Sequence, residues 1–160
     1  MVSAGVSWNG KTHIHFIYTK STKDNAESYI NLLENKLLTD CVRLYPSNNF
    51  ILQQDGTSSH TSKLTQKFLT SKNIEFIKKD RWPHQSPDLN PMDYTVWNSL
   101  TEKVYYQQRE AFTEEPLKQK ITECWQQITI EEIRKSINSW KRRLRDVIAQ
   151  NGGSTDHLEH

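Results

Sequence analysis

Two aspartates stand where a fold could bring their carboxylates to one point. Asp55 follows the apolar run Phe50 to Leu52 and precedes Gly56, which predicts a buried strand that ends at a carboxylate. Asp93 comes 38 residues later (93 − 55 = 38), near the start of a predicted helix. Carboxylate oxygens are ligands that Mg²⁺ and Mn²⁺ prefer, so the pair predicts a divalent-metal site.

The residues around Asp93 carry the signals of a helix start. Asn90 suits the N-cap and Pro91 the first helical position, while Asp93 falls at the third, as in a capping box. Apolar residues follow Asp93 at i+4, i+7 and i+11, namely Trp97, Leu100 and Val104. This spacing predicts that Asp93 heads the face of the helix that turns inward.

Each aspartate by itself also has a simpler interpretation. Asp-Gly is a common turn pair, and an acid at the third helical position often serves only as a cap. Asp88 is the nearest rival to Asp93, but it lies in a Ser-Pro-Asp-Leu loop where carboxylates commonly bond backbone amides. The pair of Asp55 and Asp93, taken with the residues between them, favours the metal site.

The motifs resemble those of a known family. Gln54-Asp55-Gly56, His60-Thr61 and the run from Ser86 to Tyr94 look like the catalytic core of mariner-like transposases of the DDE/DDD superfamily, which have an RNase H-like fold. The resemblance also covers Val2 to Lys11 and extends with specific motifs to about Val104.

The resemblance implies roles for these residues. Asp55 matches the second catalytic aspartate and Asp93 the third acidic residue, both ligands of Mg²⁺ or Mn²⁺. His60 matches a position close to the active site, although a plain helix-start role is equally compatible, and Asp88 matches a loop-shaping residue. The implied activity is metal-dependent DNA cleavage and strand transfer, with transposon ends as partner and the nucleus as location.

One departure from the family bears on activity. The family's first catalytic aspartate lies on a strand upstream of the segment that matches Val2, and the 160 residues contain no convincing equivalent. That aspartate usually bridges two metal ions, so we expect this chain alone not to cleave DNA. The alternative is a transposase-derived, non-catalytic module that binds DNA or another protein.

Two basic groups are candidates for nucleic-acid binding. One group, Lys78, Lys79 and Arg81, precedes the loop that leads to Asp93. The other, Arg134, Lys141 and Arg145, lines the last predicted helix, which Thr129 should cap and which should run from about 130 to 149. Basic side chains that merely border an apolar face are the usual alternative. Trp82 could stack on a base or simply pack in the loop.

The predicted elements follow the order ββαβαβα. The strands are 2–8, 13–18, 50–54 and 74–77, with a turn at Asn9-Gly10, and helices are expected at 26–38, 59–71 and from 91 onward. The resemblance implies an α/β fold with an RNase H-like mixed sheet and flanking helices that lacks its first strand. We expect the edge left open by that strand to pair with a second copy or another chain.

We divide the chain into a partial catalytic core (1–110), a helical C-terminal extension packed on it (111–153) and a tail with vector-like last residues (154–160).

Composition limits the function classes further. The net charge of +2 is too weak to indicate nucleic-acid binding by itself. Cys41 and Cys124 are far apart, which argues against a zinc site, and no apolar run predicts a membrane partner.

Overall fold

The computed structural model describes residues 1–17, 26–83, 86–106 and 112–152. The chain divides into two compact units, Met1–Gly5 with Lys11–Gln85, and Val6–Gly10 with Ser86–His160. The described residues are mostly helical, with two small two-stranded sheets. Within these residues no helix combines the length and apolar character needed to cross a membrane.

The N-terminal hairpin is shorter and more interrupted than the sequence predicts. Its strands are β1 (Val2–Ser3), β2 (Val6–Ser7), β3 (Gly10–Lys11) and β4 (His15–Phe16), with β1 antiparallel to β4 and β2 beside β3. The turn falls on 8–9, one position before the predicted Asn9-Gly10. The predicted end of the second strand at Tyr18 lies outside the described residues.

A one-residue bulge explains the interruption. Ser3 pairs with His15, but the next contact joins Thr12 N–H to the carbonyl of Gly5 at 2.9 Å. One residue separates the paired positions on the first strand and two on the second, which is the geometry of a β-bulge. The hydroxyl of Thr12 accepts from the Gly5 N–H at 2.8 Å and so stabilises the pairing of Gly5 with Thr12 next to the bulge.

The predicted strand at 50–54 contributes only one bridge, in which Leu52 pairs parallel with Phe76. The Leu52 N–H donates to Glu75 and its carbonyl accepts from Ile77, at 2.8 and 3.0 Å. Among the described residues the opposite edge makes no backbone hydrogen bond, and Ile51 is 59% exposed. The expectation of a buried strand here was wrong, because Ile51 is exposed and the segment is paired on one side only.

Unit one is built on helices α1 (Ala26–Leu32), α2 (Leu38–Leu44), α3 (Ser58–Thr61) and α4 (Lys63–Ser71). A π-helical segment, Leu33–Leu37, joins α1 to α2, so the helical run continues beyond the predicted end at 38. The predicted helix at 59–71 breaks at Ser62, whose hydroxyl accepts from Thr65 N–H at 3.0 Å. Leu69 is fully buried in this unit, whereas Leu64 is 49% exposed.

The buried carboxylate of Asp40 ties α2 to the hairpin. It accepts from the backbone N–H of His13 at 2.8 Å, and the rings of His13 and His15 lie 2.6 and 3.2 Å from its oxygens. Burial raises the pKa of Asp40, but the hydrogen bonds from His13 and His15 outweigh that effect and lower the pKa below its ordinary value. Asp40 therefore serves the fold as a saturated, ionised anchor.

Unit two contains α5 (Trp97–Tyr105), α6 (Glu114–Gln127) and α7 (Ile130–Ala149). Its buried side chains come from all three helices and the preceding loop, and include Leu89, Val96, Leu100, Val104, Cys124, Trp125, Ile128 and Ile133. Thr129 and Glu132 form the capping box of α7, which confirms the predicted start of that helix. The predicted boundaries at 110 and 153 lie outside the described residues and stay predictions.

Candidate active site

Asp55 is held by contacts that begin immediately after it in the chain. The turn through Gly56 lets Thr57 N–H donate to Asp55 Oδ1 at 2.9 Å. The single turn of α3 then places Nδ1 of His60 2.7 Å from the same oxygen. Both contacts therefore fall on the same oxygen, Oδ1.

The surroundings favour an ionised Asp55. The hydrogen bond with the His60 side chain has the largest effect and holds the pKa of Asp55 well below its usual range. Partial burial raises this pKa, whereas hydrogen bonds from Thr57 lower it further. The Asp55 side chain is 46% exposed, so a cation from solvent has access to it. The carboxylate is thus charged, oriented and reachable.

Tyr29 forms a second layer behind this pair. Its ring lies 4.0 Å from that of His60, centroid to centroid, and its hydroxyl accepts a hydrogen bond from the side-chain amide of Gln54. Burial raises the pKa of Tyr29 well above its ordinary value, so the phenol stays neutral. No local sequence pattern links Tyr29 to His60, which lies 31 positions further along the chain (60 − 29 = 31).

Asp55 and His60 line a narrow cleft together with Lys79 and Trp82. Lys79 belongs to a 3₁₀ turn, Lys79–Arg81, and it is exposed, as are Lys78 and Arg81. Of the predicted basic group, Lys79 thus lines the cleft that contains the Asp55 carboxylate. Trp82 is half-buried in the cleft wall, which is compatible with both of its proposed roles.

Asp93 heads a helix whose start matches the prediction. The helix begins at Pro91, and the side-chain oxygen of Asn90 accepts from Met92 N–H at 3.1 Å. The Asn90 side-chain amide in turn donates to Asp93 Oδ2 at 2.7 Å. The first helical residues, Met92–Val96, form a π-helical segment before α5. The capping role predicted for Asn90 is confirmed.

Helix α7 fixes the segment that carries Asp93. The Trp140 indole N–H donates to the Leu89 carbonyl at 2.9 Å, and the Tyr94 hydroxyl donates to the Ser136 carbonyl at 2.8 Å. The Arg143 guanidinium lies 4.0 Å from the centre of the Tyr94 ring. The Arg143 side chain thus packs on the helical segment that carries Asp93.

The remaining candidates in unit two take different positions. Asp88 is half-buried in the 3₁₀ turn Pro87–Leu89, a place that suits a loop-shaping residue. Lys141 and Arg145 are exposed on α7. Arg134 instead contacts the hairpin, because its Nε donates to the Trp8 carbonyl at 3.1 Å and its guanidinium lies 5.2 Å from the centre of the indole ring system.

The structure thus groups Asp55 with His60, Lys79 and Trp82, and places Asp93 and Asp88 in the other unit. The convergence of Asp55 and Asp93 on one cation, and the roles of all these residues, stay predictions. Within the described ranges no three histidine, cysteine or acidic side chains are placed to hold a metal ion together. A cation here would therefore need further ligands, such as water.

Sequence comparisons identify relatives among transposases. Residues 2–118 match the model of a family described as DDE superfamily endonuclease. The chain is 31% identical over 157 residues to the transposable element Tc3 transposase of Caenorhabditis elegans, covering 98% of this chain and 45% of that protein. The Tc1 transposase of the same species is 30% identical over 108 residues, 68% of this chain and 37% of that protein. The chain spans less than half the length of these relatives.

A solved structure shares the fold of the chain. The catalytic domain of Mos1 mariner transposase superimposes with a TM-score of 0.80 at 22% identity, over 97% of this chain and 75% of that chain. Other Mos1 structures contain the catalytic domain with Raltegravir and Mg or Mn, or a paired-end complex with Mn. The fold of the chain thus matches that of the Mos1 RNase H-like catalytic domain. The chain belongs to the DDE superfamily endonucleases and is homologous to the catalytic domain of Tc1/mariner transposases.

Proposed function

We propose that this chain is part of the catalytic core of a metal-dependent enzyme that cleaves DNA and transfers the cut strand. Asp55 and Asp93 are its catalytic, metal-binding carboxylates. The observation that carries the proposal is the state of Asp55, which is ionised, oriented through one oxygen, and open to solvent beside Lys79. These are the properties that a ligand of a hard cation requires.

The donor set suits Mg²⁺ or Mn²⁺. Asp55 offers a carboxylate oxygen, and Mg²⁺ is often held by one or two protein carboxylates with water completing its shell. In two-metal enzymes the ions activate the attacking oxygen and stabilise the leaving one. Among the chain's own residues, His60 and Thr57 orient Asp55, and Asn90 orients Asp93. Lys79 lines the cleft of Asp55 and would meet a phosphate there.

The chain by itself is expected to bind one cation weakly and to leave DNA intact. It supplies two of the three carboxylates that the family implies, and the third usually bridges the two ions. The exposed edge at Ile51 is where an additional strand would pair, from a second copy or another chain. Light scattering at high protein concentration tests this pairing, and a strictly monomeric profile argues against the second copy.

DNA is the proposed partner, and the nucleus the proposed location. Exposed Lys79 lines the Asp55 cleft, and its near neighbours Lys78 and Arg81 are exposed too. Lys141 and Arg145 are exposed on α7. Such side chains meet phosphates in nucleic-acid complexes. The paired-end complexes of Mos1, whose catalytic domain shares this fold, support DNA as the partner.

Calorimetric titration with Mn²⁺ tests the metal site. The wild-type chain should bind about one ion, and Asp55→Asn and Asp93→Asn should each weaken binding at least ~10-fold, since each removes a charged ligand. Asp80→Asn is the matched control, because Asp80 is exposed in a neighbouring turn. Mn²⁺ binding that is indifferent to Asp55 and Asp93 contradicts the proposal. Nicking of DNA by this chain that disappears in Asp55→Ala would support Asp55 as a catalytic residue and would contradict only the expectation that the chain alone leaves DNA intact.

A non-catalytic DNA-binding or protein-interaction module is the second candidate. The observation in its favour is that Thr57 and His60 already bond Oδ1 of Asp55. This candidate predicts DNA or protein binding that persists in Asp55→Asn and Asp93→Asn, with no measurable Mn²⁺ site. The same titration therefore separates the two functions.

A further inference from the structure

Trp8 is an exposed aromatic side chain at the tip of the hairpin. The residue is 46% exposed, whereas tryptophans are highly buried on average. Arg134 holds it from one side, through the 3.1 Å hydrogen bond to its carbonyl and the 5.2 Å approach of the guanidinium to its ring. The indole is therefore fixed in place while much of its surface stays open to solvent.

Arg134 also begins a basic stripe along α7. Positions 134, 138, 141 and 145 share one face of a helix by their spacing, and they hold Arg134, Asn138, Lys141 and Arg145. Lys141 and Arg145 are exposed and lie about 10 and 16 Å from Arg134 along the axis, at 1.5 Å per residue. No acidic residue occurs from 134 to 145, and Arg143 is on the other side, against Tyr94.

From this juxtaposition we infer that Trp8 and Arg134 form a stacking platform for an unpaired nucleobase, with the stripe of Lys141 and Arg145 contacting the phosphates of the same strand. The inference rests on the proposed function, since it takes DNA as the partner. It adds a site that contacts the flat face of a base. Because every nucleobase has such a face, binding at this site should tolerate different sequences.

The observations favour a nucleic acid over an apolar partner. Trp8 is a single aromatic side chain beside a cation, and the stripe that continues from it is positively charged. Proteins bind single strands with basic groups that follow the phosphate backbone and with aromatic rings on which bases stack. Stacking by Trp8 and charge from Lys141 and Arg145 should thus contribute separately.

The test compares three DNA probes by fluorescence anisotropy over a range of salt concentrations. The probes are a single strand, a strand of equal length without bases, and a duplex. Trp8→Ala should weaken binding of the base-bearing strand ~5- to 100-fold, the usual range for loss of one stacked base. It should leave the abasic strand and the salt dependence unchanged, because it removes no charge.

Lys141→Ala and Arg145→Ala should behave in the opposite way. Each should weaken binding of both single strands and reduce the slope of log K against log salt by about 0.7, the value for one phosphate contact. Trp8→Phe should retain most of the affinity, because it keeps an aromatic ring. Tyr106→Ala is the matched control, since Tyr106 is 75% exposed in the same unit and far from the stripe in sequence.

The outcomes separate the inference from the function on which it rests. Wild-type binding that depends on Lys141 and Arg145 but is unchanged by Trp8→Ala overturns the platform alone. An equal loss on the base-bearing and abasic strands overturns it as well, because stacking needs a base. Absence of binding to all three probes overturns the proposed DNA partner, and the platform with it. Circular dichroism confirms that each variant is folded.

Discussion

The two aspartates of the candidate site are positioned in different ways. Asp55 is oriented by residues two and five positions further along the chain, and its side chain is 46% exposed. The segment around Asp93 is fixed instead by α7, through hydrogen bonds that span 42 and 51 residues. The Asp55 carboxylate is thus placed by a local turn, whereas the segment that carries Asp93 is placed by packing between distant elements.

This difference predicts where the molecule is sensitive to substitution. A local hydrogen bond at an exposed carboxylate contributes little to stability, because water competes for it and screens the charges. A buried segment loses both packing and hydrogen bonds when its partner changes. Substitutions near Asp93 should therefore lower the free energy of unfolding more than substitutions near Asp55.

The largest effect is expected for Leu89→Ala. Leu89 is 2% exposed and its carbonyl accepts from the Trp140 indole, so the change leaves a cavity in a packed region. We expect a loss of about 3 kcal/mol in the free energy of unfolding, measured by urea denaturation. Leu64→Ala is the control, since Leu64 is 49% exposed, and a similar loss there would contradict the comparison.

Asp40→Asn tests a buried carboxylate of unit one. It should lower the free energy of unfolding by about 2 kcal/mol at neutral pH. The pKa of Asp40 is lowered in the folded state, because hydrogen bonds from His13 and His15 outweigh the burial that raises it. Its contribution is therefore present above the unfolded value, about 3.9, and is lost as the pH falls through the folded value. In an acid titration, the free energy of unfolding should depend less steeply on pH in the variant than in the wild type. An unchanged slope would argue against Asp40 as an ionised anchor.

Tyr94→Phe isolates one contact of α7 with the Asp93 segment. The variant keeps the ring beneath Arg143 but removes the hydroxyl that donates to the Ser136 carbonyl at 2.8 Å. The expected loss is about 1 kcal/mol by denaturation, the usual net value of one hydrogen bond. Tyr105→Phe is the control on α5, where Tyr105 is 54% exposed and little change is expected. Equal effects in the two variants would count against the contact.

His60→Gln should have the smallest effect on stability. The side chain of His60 contacts Asp55 at 2.7 Å, but Asp55 is half-exposed and solvent screens the interaction. We expect a change of less than about 1 kcal/mol in the free energy of unfolding. A loss as large as that of Asp40→Asn would show that Asp55 is as firmly anchored as the buried carboxylate, and would remove the contrast with Asp93.

What the sequence by itself determined is the local chemistry. The caps at Asn90 and Thr129 and the inward face of α5 follow from patterns spanning three to eleven residues, and the structure confirms them. The motifs around Asp55 and Asp93 likewise predicted the family that the comparisons show. These features were predictable because hydrogen bonds and side-chain faces within one helix depend on near neighbours.

Only the tertiary structure decided which distant residues support the local ones. Tyr29 lies behind His60, and Trp140 binds the Leu89 carbonyl, through contacts that no short pattern encodes. The same holds for the hairpin, where a bulge shifts the pairing by one residue, and for Ile51, which is exposed although its run is apolar. The physical reason is that packing and pairing between separate segments select among arrangements that local propensity leaves nearly equal in energy.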